Sequence, residues 1–462
     1  MHILFNKRYR VAAWGMILLV AGSLSCNKLL EIPSHPDDKL SDDRAFSDSA
    51  NVMSALAGIY SNLKVGNSGA IFSGALTFSA GMYADELQQP GVGGASNEFV
   101  SNELRPDNGA VSNLWVSPYT GLYQVNDFLK GVTDNPNIST TFQQQVKGEA
   151  LVTRALYYFQ LVNLFGAVPY VVGTDYKTNA VLPRSSADSI YGLIISDLTT
   201  AAGLLKAPYP SAGRMRPNQH VAQAFLAKVY LYRKQWKLAA DMASQVIGNG
   251  IYQFAELDKT FLEGSVEAIW QMPSTLSNGQ MGEANYFVPA STAPSYELTE
   301  YQLTAFEEND RRKSTWTRTT TINNVSYTYP FKYRNRDISA TPKECLMFFR
   351  LSEQYLIRAE ANAQQNLLDT ARADLNRIRA KAGLDISTAV SKEAVLLAIE
   401  HERQTEMFCE LGQRWFDLKR TGRANAVLGA IKPKWELTDT LFPVPLTQLQ
   451  NNIYLDQNEG YY

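Results

Sequence analysis

Apolar positions along this chain recur at the 3.6-residue period of a helix far more often than at the two-residue period of a strand. Across residues 142–165 the stripe runs Val146, Ala150, Leu151, Ala155, Tyr158, Phe159, Val162 and Phe165, and Gly166 with Pro169 closes it. A second stripe over 190–205 carries Ile194, Ile195, Leu198, Ala202 and Leu205 on one side. Strand signals are confined to 268–272 and to the Thr-, Val- and Tyr-rich run 320–329. Residues 66–113, rich in Gly, Ser and Asn, and 274–296, rich in Ser, Gly, Asn and Pro, read as long connections. Ordered loops on a rigid scaffold are where binding residues tend to sit.

Laid over the helical pattern is an internal repeat. Ala227 is followed twelve residues later by Ala239, then by Ala243 and Val246; Ala359 is followed at the same offsets by Ala371, Leu375 and Ile378. Small residues at fixed points of two consecutive helices let their backbones approach closely. Short turns at 233–236 and 365–367 make each pair a helical hairpin of the tetratricopeptide kind, which stacks into a solenoid. Two copies fall short of the three or so that a free-standing array needs, so other helices must complete the stack. The expected fold is mainly α: tetratricopeptide-like hairpins packed against a less regular C-terminal lobe with long loops and few strands. A chain of this length exceeds the size at which one core stops growing, which predicts two closely packed lobes.

The N-terminal segment departs from that pattern. Lys7, Arg8 and Arg10 form a basic region, and 11–24 is an apolar run interrupted only by Gly and Ser, as in an export signal. The run is shorter than the roughly 20 residues of a spanning helix. Ser23 and Ser25 flank Leu24 directly before Cys26, so the segment resembles a lipoprotein signal peptide in which Cys26 becomes the acylated first residue; Ser23 stands where a Leu is preferred. No later segment is apolar enough to cross a bilayer, so the body is expected to be held at a membrane by lipid alone, and stable anchoring takes more than one chain. Three of the 43 basic residues lie in this leader, leaving an excess of about five acidic side chains in the rest, which argues against nucleic-acid binding. Cys345 and Cys409 are expected to be buried thiols, with one disulfide open to them in an oxidising compartment.

An enzyme would have to find its groups among few candidates. Outside the leader the histidines are His35, His220 and His401, and His401-Glu402 fails as a zinc-protease motif because Thr405 stands where the second His belongs. No metal-ligand spacing, nucleophile elbow or phosphate loop is present, so neither a metal nor a cofactor is implied. Glu402, Glu406 and Glu410 share a helical stripe, but Arg403, Arg414, Arg420 and Asp417 are interleaved with them. A structural ion network, with guanidinium partners at i+3 or i+4 or across the lobe junction, accounts for them better than catalysis.

The whole length resembles the SusD/RagB family. The resemblance is carried by CNKLLE at 26–31, ALAGIYSNL at 55–63, ADEL at 84–87 and GEALVTRALYYFQLVNLFGAVPY at 148–170. It continues through ISDL at 195–198, EAIW at 267–270, NDRR at 309–312, FRLSEQYLIRAEA at 349–361 and LNRIRAKAGL at 375–384. It closes on Glu402-Arg403, Glu406, GQRWFDLKRTGRA at 412–424, LFPVP at 441–445 and QNEGY at 457–461. The resemblance implies a lipoprotein signal peptide at 1–25, a SusD-like N-terminal region with helical-repeat hairpins at 26–265 and a RagB/SusD C-terminal region at 266–462. It also implies a non-catalytic lipoprotein of the cell outer membrane, facing the exterior, that captures oligosaccharides, or in some members peptides, for a SusC-like TonB-dependent porin.

Sugar binding calls for aromatic faces flanked by groups that bind hydroxyls. Aromatics make up 11% of the chain, enough for a core and a binding surface. The candidates are Tyr83, Asp85, Gln88 and Gln89, leading into the Gly-rich loop; Tyr286 and Tyr296 in the second long loop; and Trp316 with Arg318 after the NDRR turn, with Trp316 and Tyr296 forming a platform beside Asp85. Trp115, Trp236, Trp270 and Trp415 lie in amphipathic or motif segments and are expected in the core. If Cys26 carries the lipid, Cys26→Ala protein will leave the membrane fraction and become soluble; association that persists through high-salt washing would contradict the assignment.

Overall fold

Helix ends follow local chemistry. In the computed structural model, which describes residues 42–63, 70–91, 96–273, 281–337 and 339–461, several helices begin at side-chain caps written into the sequence. The leader and Cys26 lie outside these residues. In chain order the principal helices begin with α1 (Ser49–Leu63), α2 (Leu76–Tyr83) and α3 (Gly109–Val132). Next is α4 (Thr140–Phe165), opened by the Ser139 hydroxyl accepting from Phe142 N and closed at Gly166, whose φ is +74°. Ser186 caps α5 (Ala187–Leu204) by accepting from Ser189 N.

The repeat forms two hairpins, α6 (Gln219–Tyr232) with α7 (Trp236–Gly248), and, beyond the short helices α8 (Glu300–Ala305) and α9 (Arg311–Trp316), α10 (Leu351–Gln364) with α11 (Leu368–Ala382). Their turns match atom for atom. Gln235 N donates to Tyr230 O and Leu367 N to Asn362 O, both 2.9 Å, around a left-handed residue at the same repeat position, Lys234 or Asn366. Ala227, Ala239, Ala359 and Ala371 are fully buried within the hairpins. The second hairpin stacks directly on the first, α10 against α7, although some hundred residues separate them in sequence. On one side α3, α4 and α5 extend the stack, and on the other α12 (Lys392–Glu406) closes it; these are the helices the two repeats lacked. The helix α13 (Gln413–Arg420) packs on α2.

Strands are few and short. β1 (Leu87–Gln88) pairs with β3 (Glu297–Leu298), and the buried β2 (Ala268–Pro273) pairs antiparallel with β6 (Cys345–Arg350). The run 320–329 is a hairpin, β4 (Thr317–Ile322) and β5 (Val325–Pro330), turning at Asn323-Asn324, both with positive φ. No alternation announced β6, because all six of its residues are buried.

The two expected connections are more structured than their composition suggests. α2 lies within 66–113 and is buried on every side, so it shows no amphipathic stripe. Within 274–296 a helix spans Gly282–Phe287, and a Cβ at Gly282 would come within 2.1 Å of Ser73 O. Glycine at 282 therefore serves backbone packing. One hydrophobic cluster runs from Val52 to Val444 and takes in Trp115, Trp270 and Trp415, with Trp236 half-buried against it. Cys345 and Cys409 are both buried. Overfilling the hairpin contact tests the packing: Ala227→Leu should cost about 1–3 kcal/mol in urea denaturation, whereas an unchanged midpoint would mean that α6 and α7 do not meet there.

Candidate functional site

Where the β2–β6 pair, the β4–β5 hairpin and the helical stack meet, charged side chains are buried together. Arg350, at the end of β6, is fully buried and reaches Glu267 Oε1 (2.9 Å), Glu406 Oε1 (2.6 Å) and Glu410 Oε1 (2.9 Å). Arg312, in α9, pairs with Asp310 (2.8 Å), Glu402 (2.6 Å) and Glu406 (3.1 Å). Lys381, on α11, bridges Glu267 (2.8 Å) and Glu406 (3.0 Å), while Lys332 binds Glu410 (2.6 Å). Burial by itself would raise the Glu406 carboxyl, but Lys381, Arg350 and Arg312 hold it well below the usual carboxylate range. Burial pushes the Lys332 ammonium down to about 8 despite Glu410.

These carboxylates thus form a structural network, with a correction to its wiring. Glu402, Glu406 and Glu410 find Arg312, Arg350, Lys332 and Lys381 from distant elements. The interleaved arginines pair elsewhere: Arg403 and Arg420 with Asp417 (2.6 and 2.8 Å), and Arg414 with Asp85 (2.7 Å). Each of the three glutamates is closed off from solvent with its oxygens on cations, which leaves no exposed pair for acid and base work on a substrate.

Three proposed ligand residues belong to the interior. Trp316 is fully buried, donates Nε1–H to Leu257 O (2.8 Å) and has Lys332 Nζ 4.6 Å from its ring centroid. Its neighbours in sequence are polar because they begin the largely exposed strand β4, while Trp316 ends α9 facing inward. Tyr83 is buried edge-on to Trp415 and Phe442 and donates to Asp439 O (3.0 Å). Asp85 is buried in a bidentate pair with Arg414. A platform of Trp316 and Tyr296 beside Asp85 is therefore absent from this structure.

The other five candidates lie on neighbouring elements. Gln88 is exposed and donates to Glu297 Oε1 (2.9 Å) across the β1–β3 pair, which joins the two loops. Thr299 N donates to Glu86 O (3.0 Å) and its hydroxyl to Asp85 O, pinning the same junction. Tyr296 stacks on Phe78 at 4.8 Å and Tyr286 lies 4.7 Å from the same ring, both half-buried. Gln89 Oε1 is buried without a hydrogen-bond partner among the described residues. β3 packs against β5, and the exposed Arg318 on β4 lies 4.6 Å over the Phe331 ring.

Beside Arg318 opens a recess of about 500 Å³ whose lining includes Glu300, Thr304, Lys313, Thr317 and Thr328. Tyr301, 51% exposed, stands next to Glu300 on α8. Hydroxyls, a carboxylate and two cations around an open recess suit a polyhydroxylated ligand better than an apolar one. The sequence reading missed Glu300, Lys313 and the lining threonines; the threonine run at 319–321 was the one local signal for them.

Residues 38–231 match a family described as "Starch-binding associating with outer membrane", and residues 269–461 match the SusD family. SusD-like protein P25 of Formosa agariphila is 23% identical, over 96% of this chain and 97% of its own length. A SusD superfamily structure from Bacteroides vulgatus superposes with a TM-score of 0.81 at 22% identity, covering 90% of this chain and 100% of that one. A laminarin-binding SusD-like protein gives 0.77 at 22% identity, with 90% and 100% coverage. These similarities show a shared fold.

The polar junction at Glu86 should respond to pH. Burial, with the neighbouring Asp85 charge, raises the Glu86 carboxyl to about 8 even though Cys409 N donates to it at 3.0 Å. Below its ordinary value of 4.5 the group is protonated folded or unfolded; from there to about 8 the unfolded chain ionises first, so this group's contribution is lost as pH rises. Glu86→Gln stays neutral and keeps an acceptor for Cys409 N. Its stability relative to the parent should therefore climb between about pH 5 and about pH 8 in urea denaturation; a pH-independent difference would contradict the assignment.

Proposed function

The chain belongs to the SusD/RagB family, and from that premise we propose that it is a surface lipoprotein that binds oligosaccharides or polysaccharides and hands them to a SusC-like TonB-dependent porin for import. Lipid on Cys26 would hold it to the outer membrane, facing the exterior. Among the described residues no helix is long and apolar enough to cross a membrane. The observation that carries the ligand class is the recess at Arg318, open and lined by threonine hydroxyls and charges of both signs, with the exposed Gln88–Glu297 contact on a strand pair that packs against the same β-hairpin. Binding without chemistry agrees with the closed ion network, which leaves Glu402, Glu406 and Glu410 no route to a substrate. A solved relative described as laminarin-binding supports a glycan, and a neutral glucan is the first probe.

Affinity electrophoresis in laminarin and other polysaccharides, with product analysis, tests this reading. The parent should be retarded by at least one polysaccharide and release no products. Arg318→Ala and Gln88→Ala should each weaken binding by about 1–3 kcal/mol while leaving the melting temperature nearly unchanged, since both side chains are exposed. Binding of peptides but no glycan, or release of shortened products, would overturn it.

A further inference from the structure

A second cleft shares α9 with the recess: Lys313 and Ser314 line the recess, and Arg311 lines the cleft. Its volume is about 390 Å³, within the range of small-ligand sites, and its wall is formed by Phe254, Glu256, Leu257, Arg311, Arg377 and Lys381. The cations are arranged unevenly. Arg377 is exposed and has no carboxylate in ion-pair range among the described residues; its guanidinium carbon lies 5.8 Å from the Phe254 ring centroid. Arg311 has Glu256 at 3.9 Å, the limit of an ion pair, with both side chains more than half exposed. At the buried end sits Lys381, 4% exposed, whose Nζ is 5.9 Å from the same ring and is held by Glu267, Glu406 and Ser352. The Phe254 ring packs on Tyr355 at 5.1 Å.

An aromatic face with two under-paired guanidinium groups at the rim is a specific combination. The ring can take the C–H face of a pyranose. A guanidinium presents parallel N–H groups that match a planar carboxylate in bidentate geometry. A neutral sugar would leave the guanidinium excess unanswered, in a chain whose formal charge is otherwise slightly negative. We propose that this cleft binds a uronate unit, a carboxylate-bearing pyranose, with Phe254 under the ring and Arg377 and Arg311 on the carboxylate. The inference rests on the glycan-binding reading above and adds to it a subsite for acidic units.

Calorimetry with the whole protein tests it, using oligogalacturonate and oligoalginate, the carboxyl-reduced neutral form of each, a sulfated oligosaccharide and a neutral laminari-oligosaccharide. At least one oligouronide should bind, and its carboxyl-reduced form should bind roughly tenfold more weakly. Arg377→Gln with Arg311→Gln should lower oligouronide affinity by roughly tenfold and flatten its dependence on salt, with laminari-oligosaccharide binding and melting temperature unchanged. Lys381 is left intact because it holds the buried network. Oligouronide binding that the double variant retains would overturn the site. Binding of the neutral or sulfated oligosaccharide but of no oligouronide would overturn the uronate assignment while leaving the glycan reading in place. Failure to bind any of these glycans would remove both.

Discussion

Taking a carboxylate or guanidinium out of water costs several kcal/mol per ion unless pairing and hydrogen bonds offset it. Arg350 meets that condition with three carboxylates, and each of those carboxylates meets a second cation. The cluster therefore holds as a unit: removing one member strands charges contributed by other elements. Those elements are the approach to β2, the end of β6, α9, α11, α12, the turn after α12 that carries Glu410, and the segment after the β4–β5 hairpin. Their shared ions set how the C-terminal strands sit against the helical stack.

The stack and the cluster together position the two long connections. α12 carries Glu402 and Glu406 inward and packs α8 on its side, so the ion network and the recess at Glu300 share one helical support. From the other direction, Gly282 lies against Ser73, Thr299 ties to Asp85 and Glu86, and β1 pairs with β3. Segments more than 200 residues apart in sequence thereby become one ordered surface. Order matters for recognition, because a loop already in place does not have to be fixed on binding.

Two openings on either side of one short helix divide the polar chemistry. The recess mixes hydroxyls with opposite charges, and the cleft concentrates guanidinium groups beside an aromatic ring. Trp316, at the end of that helix, contributes from beneath: its buried ring packs near Lys332, Lys381 and Arg350, coupling the floor of the cleft to the ion network. The aromatic that looked most like a ligand platform instead supports the helix on which both openings depend.

What the sequence determined by itself was local or periodic. Helical stripes and the repeat of small residues are legible because each depends on neighbours within a few positions, and the matched turns at Lys234 and Asn366 follow from the same spacing. The order of motifs along the chain sufficed for the family. Tertiary structure decided which charges meet and which polar residues see water. Asp85 finds Arg414 across 329 positions and Arg312 finds Glu402 across 90, distances over which no periodicity carries information. Trp316 and Arg318 stand two residues apart, yet one is buried and the other exposed, because a helix ends and a strand begins between them. Burial is a property of what packs on a segment, and that is set by elements distant in the chain.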